Sequence, residues 1–117
     1  MGTCVDLEVY GMDRKSYIEI AREKVSKGNF YLSHHAQIER GKERIRVNDI
    51  VAVISDGQEL EPYPDDPRGE SCLIVGQGLD SRWIHVLCAN FHHRDLLIIT
   101  VYIPRLPKWK DPFTRRV

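Results

Sequence analysis

The chain has 117 residues, 42% of them hydrophobic, which is enough for one compact domain with a core and too little for two ordinary domains. Its 17 basic and 17 acidic residues cancel, which argues against the strongly cationic surface that non-specific binding to nucleic acids or membranes requires. The three cysteines lack metal or redox spacing, and neither an apolar run of roughly twenty residues nor a signal-peptide pattern is present, so we expect a soluble cytoplasmic protein.

Capping residues and apolar residues at helical spacing predict three helices after an N-terminal tail, residues 1–12. Ser16 and Glu19 have the spacing of a capping box, and Ser33 is a typical N-cap. The β-branched content of the third helix leaves a strand as the alternative there. The first predicted helix starts at residue 13 or 16 and ends before Gly28. The second runs from about 34 to 44, and the third runs from 48 to 54.

From residue 58 onward, short runs rich in Val, Ile and Leu alternate with turn residues, which predicts strands. Because the connections between the later runs are short, neighbouring strands are expected to pair antiparallel. The predicted fold class is α+β, with the helices packed on a four-stranded antiparallel sheet in a single domain, residues 13–104, followed by a basic C-terminal tail, residues 105–117. The predicted strands are 58–63, 72–76, 83–89 and 96–103.

A proline-rich acidic segment, EPYPDDPRGESCLIVG at residues 61–76, joins the first two predicted strands. Its three prolines fix φ and remove backbone donors, which predicts a rigid exposed loop that leads into a core strand. Arg68 is the only cation among the five acidic residues between 59 and 70. Its guanidinium is either held by those carboxylates or directed at a ligand, and both interpretations stay open.

His85 lies in the middle of a predicted strand. Strand alternation places it and Cys88 on opposite faces, which argues against a zinc site built from His85, Cys88 and the nearby histidines. Two interpretations of His85 remain. It is a packed histidine with a satisfied hydrogen bond, or it meets Tyr102 on the neighbouring strand as an acid/base pair. The alternative for Tyr102 is an edge aromatic with its hydroxyl in water.

Several segments together resemble a widespread bacterial domain-of-unknown-function family. The resemblance runs from about residue 16 to the C-terminus. Domains of this kind look like small toxins of the RelE, BrnT and MqsR type, which are metal-independent ribonucleases with helices packed on a curled antiparallel sheet. The segments that carry the resemblance to the family are YLSHHAQIE (31–39), IRVNDI (45–50), ELEPYPDDPRGESCLIVG (59–76), IHVLCA (84–89), IITVYIP (98–104) and PKWKDPFTRR (107–116).

The resemblance implies the toxin of a toxin–antitoxin system, with RNA as substrate, endoribonuclease (mRNA interferase) activity, no cofactor and no metal. An MqsA/YgiT-type zinc-finger antitoxin would be the partner. His85 or His35 would do the acid/base work, Arg68 would stabilise phosphate charge, and Tyr102 would be a second proton donor or an orienting group. These four residues are then expected to converge on one concave surface.

Four further residues are implied as substrate contacts. Trp109 would stack on a base, beside the cations Lys108 and Arg115 of the tail. Glu39 lies four residues after His35, so it shares that helical face and either orients the imidazole or is a solvated carboxylate. The alternative function is a non-catalytic interaction module that inserts Trp109 into a partner, which suits the neutral charge better; a metal-dependent enzyme is a third.

Overall fold

The computed structural model of the chain describes residues 15–116, so the predicted N-terminal tail and the first residues of the predicted helical region lie outside it. Three helices and seven strands follow one another along the described chain. The helices are α1 (Tyr17–Ser26), α2 (His34–Glu43) and α3 (Val47–Asp56). The strands are β1 (Phe30–Leu32), β2 (Gln58–Tyr63), β3 (Ser71–Gln77), β4 (Trp83–Ala89), β5 (Leu96–Tyr102), β6 (Trp109–Asp111) and β7 (Thr114–Arg115). None of the described helices is long and apolar enough to cross a membrane.

Within the described part of the chain, the main sheet has five strands in the order β1-β5-β4-β3-β2. The α+β class and the three helices are confirmed, but the expected four-stranded antiparallel sheet is wrong. Strands β2 to β5 form an antiparallel meander, and β1 adds a fifth strand that runs parallel to β5, with Phe30 opposite Leu96. β1 has only three residues between two helices, so its pairing depends on contacts with a segment more than sixty residues away.

Local capping explains where the first two helices begin. The Ser16 hydroxyl accepts a hydrogen bond from the Glu19 backbone N–H, and the Glu19 carboxylate accepts one from the Ser16 N–H at 2.8 Å. The Ser33 hydroxyl accepts from the Ala36 N–H at 3.0 Å and donates to the Ile99 carbonyl at 2.7 Å. The cap of α2 therefore also fastens the helix to β5.

The turn between β3 and β4 is fixed from the helical side. Asp49, in the first turn of α3, is fully buried and accepts hydrogen bonds from the backbone N–H groups of Arg46 and Leu79, each at 2.8 Å. Burial alone would raise the pKa of Asp49, but these bonds hold it below its ordinary value. The Arg82 guanidinium donates to the carbonyls at the end of α2, at 2.6 Å and 2.8 Å. The start of β4 is therefore held in place.

The two faces of the sheet differ. One face packs on the helices and forms the hydrophobic core, to which β4 contributes Ile84, Val86 and Cys88. The alternate residues of β4, His85 among them, point to the other face. Residues 105–116, interpreted from the sequence as a basic tail, fold back over that second face as the antiparallel hairpin β6–β7. This C-terminal hairpin forms the surroundings of His85.

Candidate functional site

His85 and Tyr102 lie directly opposite each other in β4 and β5, and His85 Nδ1 is 3.0 Å from the Tyr102 hydroxyl oxygen. A β-bulge sets this register. Cys88 pairs with Ile98 but Leu87 pairs with Thr100, so Ile99 is an extra residue in β5. Without the bulge, His85 would lie opposite Val101. Tyr102 would then face the helices, because a shift of one residue reverses the face.

The two ring nitrogens of His85 have different partners, and these fix its tautomer. His85 Nε2 is 2.6 Å from the carbonyl oxygen of Pro112, in the C-terminal hairpin. A carbonyl can only accept, so Nε2 carries the hydrogen, and in the neutral ring Nδ1 accepts from the Tyr102 hydroxyl. His85 is fully buried, and burial lowers its pKa, which favours this neutral form.

Trp109 packs edge-on against the His85 ring, with 4.4 Å between the ring centroids. The Arg115 guanidinium lies 4.6 Å from the Trp109 ring centroid, as a cation–π pair. Trp109 is only 2% exposed, and its indole nitrogen has no hydrogen-bond partner among residues 15–116. The sequence interpretation of Trp109 as a base-stacking platform or an exposed anchor is therefore not compatible with its position.

Arg115 continues the cluster to β2. Its Nε and Nη2 donate to the two carboxylate oxygens of Glu61 at 2.8 Å each, and Nη2 also donates to the Tyr63 hydroxyl at 3.3 Å. Tyr63 in turn donates to Glu61. The Arg115 hydrogen bonds hold the pKa of Glu61 below its ordinary value, while burial raises the pKa of Tyr63.

We call these six residues the His85 cluster: Glu61, Tyr63, His85, Tyr102, Trp109 and Arg115. Tyr102 is half-buried, and burial raises the pKa of its phenol, which the adjacent Trp109 indole and the Arg115 charge oppose. The cluster joins a neutral histidine, two protonated phenols and the ion pair between Arg115 and Glu61. That combination can pass a proton between Tyr102 and His85, and it leaves Arg115 Nη1, the guanidinium nitrogen not bonded to Glu61 or Tyr63, to contact an anion. It also fastens the C-terminal hairpin to the sheet.

Arg68 lies away from the cluster. Its guanidinium is largely exposed and donates to the Asp66 carboxylate at 3.2 Å through two nitrogens. The loop that carries it ends at Ser71, which pairs with Ala89, whereas His85 pairs with Val75. Four residues of strand separate these two pairs, about 13 Å. Of the two interpretations of Arg68, the structure shows the one in which a carboxylate holds it.

The remaining predicted residues are also separate. α2 packs on the core face of the sheet through Ala36, so the exposed His35 lies on the opposite side of the sheet from His85. Glu39 pairs with Lys42 at 3.5 Å, and Lys108 is exposed on the C-terminal hairpin. The expected convergence of four residues is therefore wrong. The structure brings His85 and Tyr102 together and leaves Arg68 and His35 elsewhere.

Two members of the cluster, Glu61 and Tyr63, were not identified as site residues from the sequence. They are two residues apart in a predicted strand, so strand alternation already places both on one face. Pro112, which binds His85 through its carbonyl, gives no sequence pattern of its own. Within residues 15–116, no group of three or more His, Cys, Asp or Glu side chains is arranged to hold a metal ion.

A family model described as a domain of unknown function (DUF4258) matches residues 32–103. The matched region contains α2, α3 and strands β2 to β5, and with them His85, Tyr102, Glu61 and Tyr63. The C-terminal hairpin, with Trp109, lies beyond it. No curated protein and no solved structure matches the chain.

Proposed function

The chain belongs to the DUF4258 family, whose description assigns no activity, and we propose that it is a metal-independent endoribonuclease that acts as the toxin of a toxin–antitoxin pair. The observation that carries this proposal is the hydrogen bond between Tyr102 and the buried His85, whose neutral form burial favours, with Arg115 in the same cluster. The likeness to RelE, BrnT and MqsR toxins is part of the proposal, as are a cytoplasmic location and an MqsA/YgiT-type zinc-finger partner.

Tyr102 is the general base in this mechanism. Its oxygen takes the proton of a ribose 2′-hydroxyl while its own proton passes to His85 Nδ1, and the 2′-oxygen attacks the adjacent phosphorus. The resulting imidazolium keeps its Nε2–H bond to the Pro112 carbonyl and is stabilised by the negative charge of Glu61. His85 acts through Tyr102, because Tyr102 is half-buried and His85 is fully buried.

Arg115 and Tyr63 act on the phosphate and the leaving group. Arg115 is paired with Glu61 through Nε and Nη2, and its remaining nitrogen, Nη1, stabilises the charge that develops on the phosphoryl oxygens. Tyr63, hydrogen-bonded to both Arg115 and Glu61, gives its proton to the departing 5′-oxygen. The products are a 2′,3′-cyclic phosphate and a free 5′-hydroxyl. Water then returns the proton from the His85 pair to Tyr63, which restores the starting state without a metal or an oxidant.

The C-terminal hairpin supplies a local positive charge that the neutral whole chain does not. Lys108, Lys110 and Arg116 are exposed on it, next to Arg115. RNA would therefore approach from the side of the C-terminal hairpin and not from the acidic loop around Arg68. The competing interaction module required an exposed Trp109, and the burial of that side chain removes the proposed anchor.

The test is RNA cleavage in EDTA by wild type and Tyr102→Phe. The variant keeps the ring and loses only the hydroxyl, so we expect cleavage to fall on the order of a hundredfold. Tyr31→Phe is the matched control, because Tyr31 is an exposed phenol on β1 at the far edge of the sheet. Equal trace cleavage by all three proteins would show that the chain is not a ribonuclease.

A further inference from the structure

A small cavity of about 280 Å³ lies beside the His85 cluster, on the same face of the sheet. Trp83 and Gln77 pair across β4 and β3, two residues from the pair His85 and Val75, so all four side chains share one face. Two residues of strand are about 6.6 Å long. The volume lies just below the range of about 300–1,000 Å³ typical of drug-sized ligands, and suits one planar ring system.

An exposed aromatic pair forms one wall of this cavity. The rings of Trp83 and Phe113 meet edge to face, with centroids 5.1 Å apart and an angle of 71°. Trp83 is 37% exposed and Phe113 is 41% exposed. An edge-to-face pair leaves a ring face uncovered, and an uncovered aromatic face is a platform on which bases of single-stranded nucleic acid stack.

One carboxylate and two side-chain amides form the polar part of the lining. The Asp56 carboxylate accepts only, and the Gln77 amide, which donates one N–H to the Ser81 carbonyl at 3.0 Å, keeps its oxygen and its second N–H available. Gln58 contributes a further exposed amide. Acceptors bind base edges that present N–H donors. The Watson–Crick edge of guanine presents two adjacent donors, N1–H and N2–H.

From these observations we infer that the cavity binds one base of a single-stranded RNA, next to the bond that the His85 cluster cleaves, and that it favours guanine. This inference rests on the proposed ribonuclease function and extends it to substrate selection. The base stacks on the Trp83 and Phe113 pair and directs its Watson–Crick edge at Asp56 and Gln77. Phe113 belongs to the C-terminal hairpin, so the hairpin contributes both to the cluster and to base binding.

Binding is measured with a short oligonucleotide of one guanosine flanked by uridines, with every 2′-oxygen methylated so that cleavage cannot occur. Fluorescence anisotropy should show that Trp83→Ala and Phe113→Ala each bind about 5- to 150-fold more weakly than wild type. Trp83→Phe should retain most of the affinity. Tyr31→Ala, a matched removal of an exposed ring at the far edge of the sheet, should bind like wild type.

Quenching of tryptophan emission gives a second measurement. The chain has two tryptophans, and Trp109 is buried, so quenching at saturating oligonucleotide should disappear in Trp83→Phe. The inference is overturned if wild type shows no quenching, or if both alanine variants bind as wild type does. An all-uridine oligonucleotide that binds as tightly as the guanosine one would overturn the assignment of guanine.

These experiments distinguish a failure of the ribonuclease proposal from a failure of the base-binding proposal. Binding through Trp83 without cleavage of unmodified RNA would remove the nuclease activity and leave the base site. Cleavage of unmodified RNA that is unchanged in Trp83→Ala and Phe113→Ala would remove the base site and leave the activity. Both side chains are more than a third exposed, so their truncation should leave the fold intact, which circular dichroism checks.

Discussion

Replacing Tyr102 by Phe should destabilise the protein as well as slow RNA cleavage. In the wild type the Tyr102 hydroxyl is the partner of His85 Nδ1, and His85 is fully buried. The variant keeps the aromatic ring and leaves Nδ1 without a donor. A buried acceptor that loses its partner costs about 1–3 kcal/mol in the free energy of unfolding.

The expected change in melting temperature follows from the chain length. An entropy of unfolding of about 2.1 cal/mol/K per residue gives about 0.25 kcal/mol/K for 117 residues. A loss of about 1–3 kcal/mol therefore lowers the melting temperature by about 4–12 °C. Thermal unfolding at pH 8, followed by circular dichroism, measures this with His85 neutral. Tyr31→Phe is again the control, and should cost less than about 0.5 kcal/mol because its hydroxyl is exposed.

A double-mutant cycle with His85→Leu separates the hydrogen bond from other effects. If the bond between the two side chains is what Tyr102 contributes, the two substitutions should not be additive, with an interaction energy of about 0.5–3 kcal/mol. A melting temperature of Tyr102→Phe within about 1 °C of wild type, together with additive single and double variants, would refute the assigned tautomer and the relay built on it.

Two further predictions concern pH and Arg68. Burial lowers the pKa of His85 below its ordinary 6.5, so this histidine binds a proton at higher pH in the unfolded chain than in the folded protein. The melting temperature should therefore fall as the pH drops below 6.5. Glu61, whose pKa is lowered, stays ionised in this pH range. The melting temperature of His85→Leu should not show this pH dependence. A wild-type melting temperature that is constant from pH 7.5 to 5.5 would contradict the prediction. Arg68→Ala should retain cleavage and change stability by less than about 1 kcal/mol, because the Arg68 side chain is exposed and Asp66 keeps its bonds to the backbone N–H of residue 68 and the Ser71 hydroxyl. A hundredfold loss of cleavage in that variant would contradict the assignment of the phosphate to Arg115.

The helices were predictable because their capping contacts are local. Ser16 and Ser33 each bond within three residues, and the sequence shows both partners. The parallel strand β1 was not predictable, since its three residues carry no pattern of their own and its partner begins at Leu96. Similarly, strand alternation gave the face of His85, but only the bulge at Ile99 decides that Tyr102 and not Val101 lies opposite.

The position of the C-terminal hairpin also depends on contacts that local sequence patterns do not predict. Its composition, with Lys108, Lys110 and three arginines around Trp109, is typical of an exposed cationic tail. The burial of Trp109 depends on partners from β2 and β4, since Arg115 is held by Glu61 and the ring packs on His85. For Arg68 the sequence supplied both alternatives, and the two-residue spacing to Asp66 permitted the ion pair that the structure contains.

The proline-rich segment has a consequence for association between molecules. Among the strands of residues 15–116, β2 is the outermost on its side of the sheet, and Pro62 lies in it opposite Cys72, next to a bulge between Glu59 and Glu61. An outer strand normally offers a row of free N–H and C=O groups on which a strand of another chain can add. Pro62 removes one of those donors and the bulge bends the row, so this border is a poor template for sheet extension and protects the protein against aggregation.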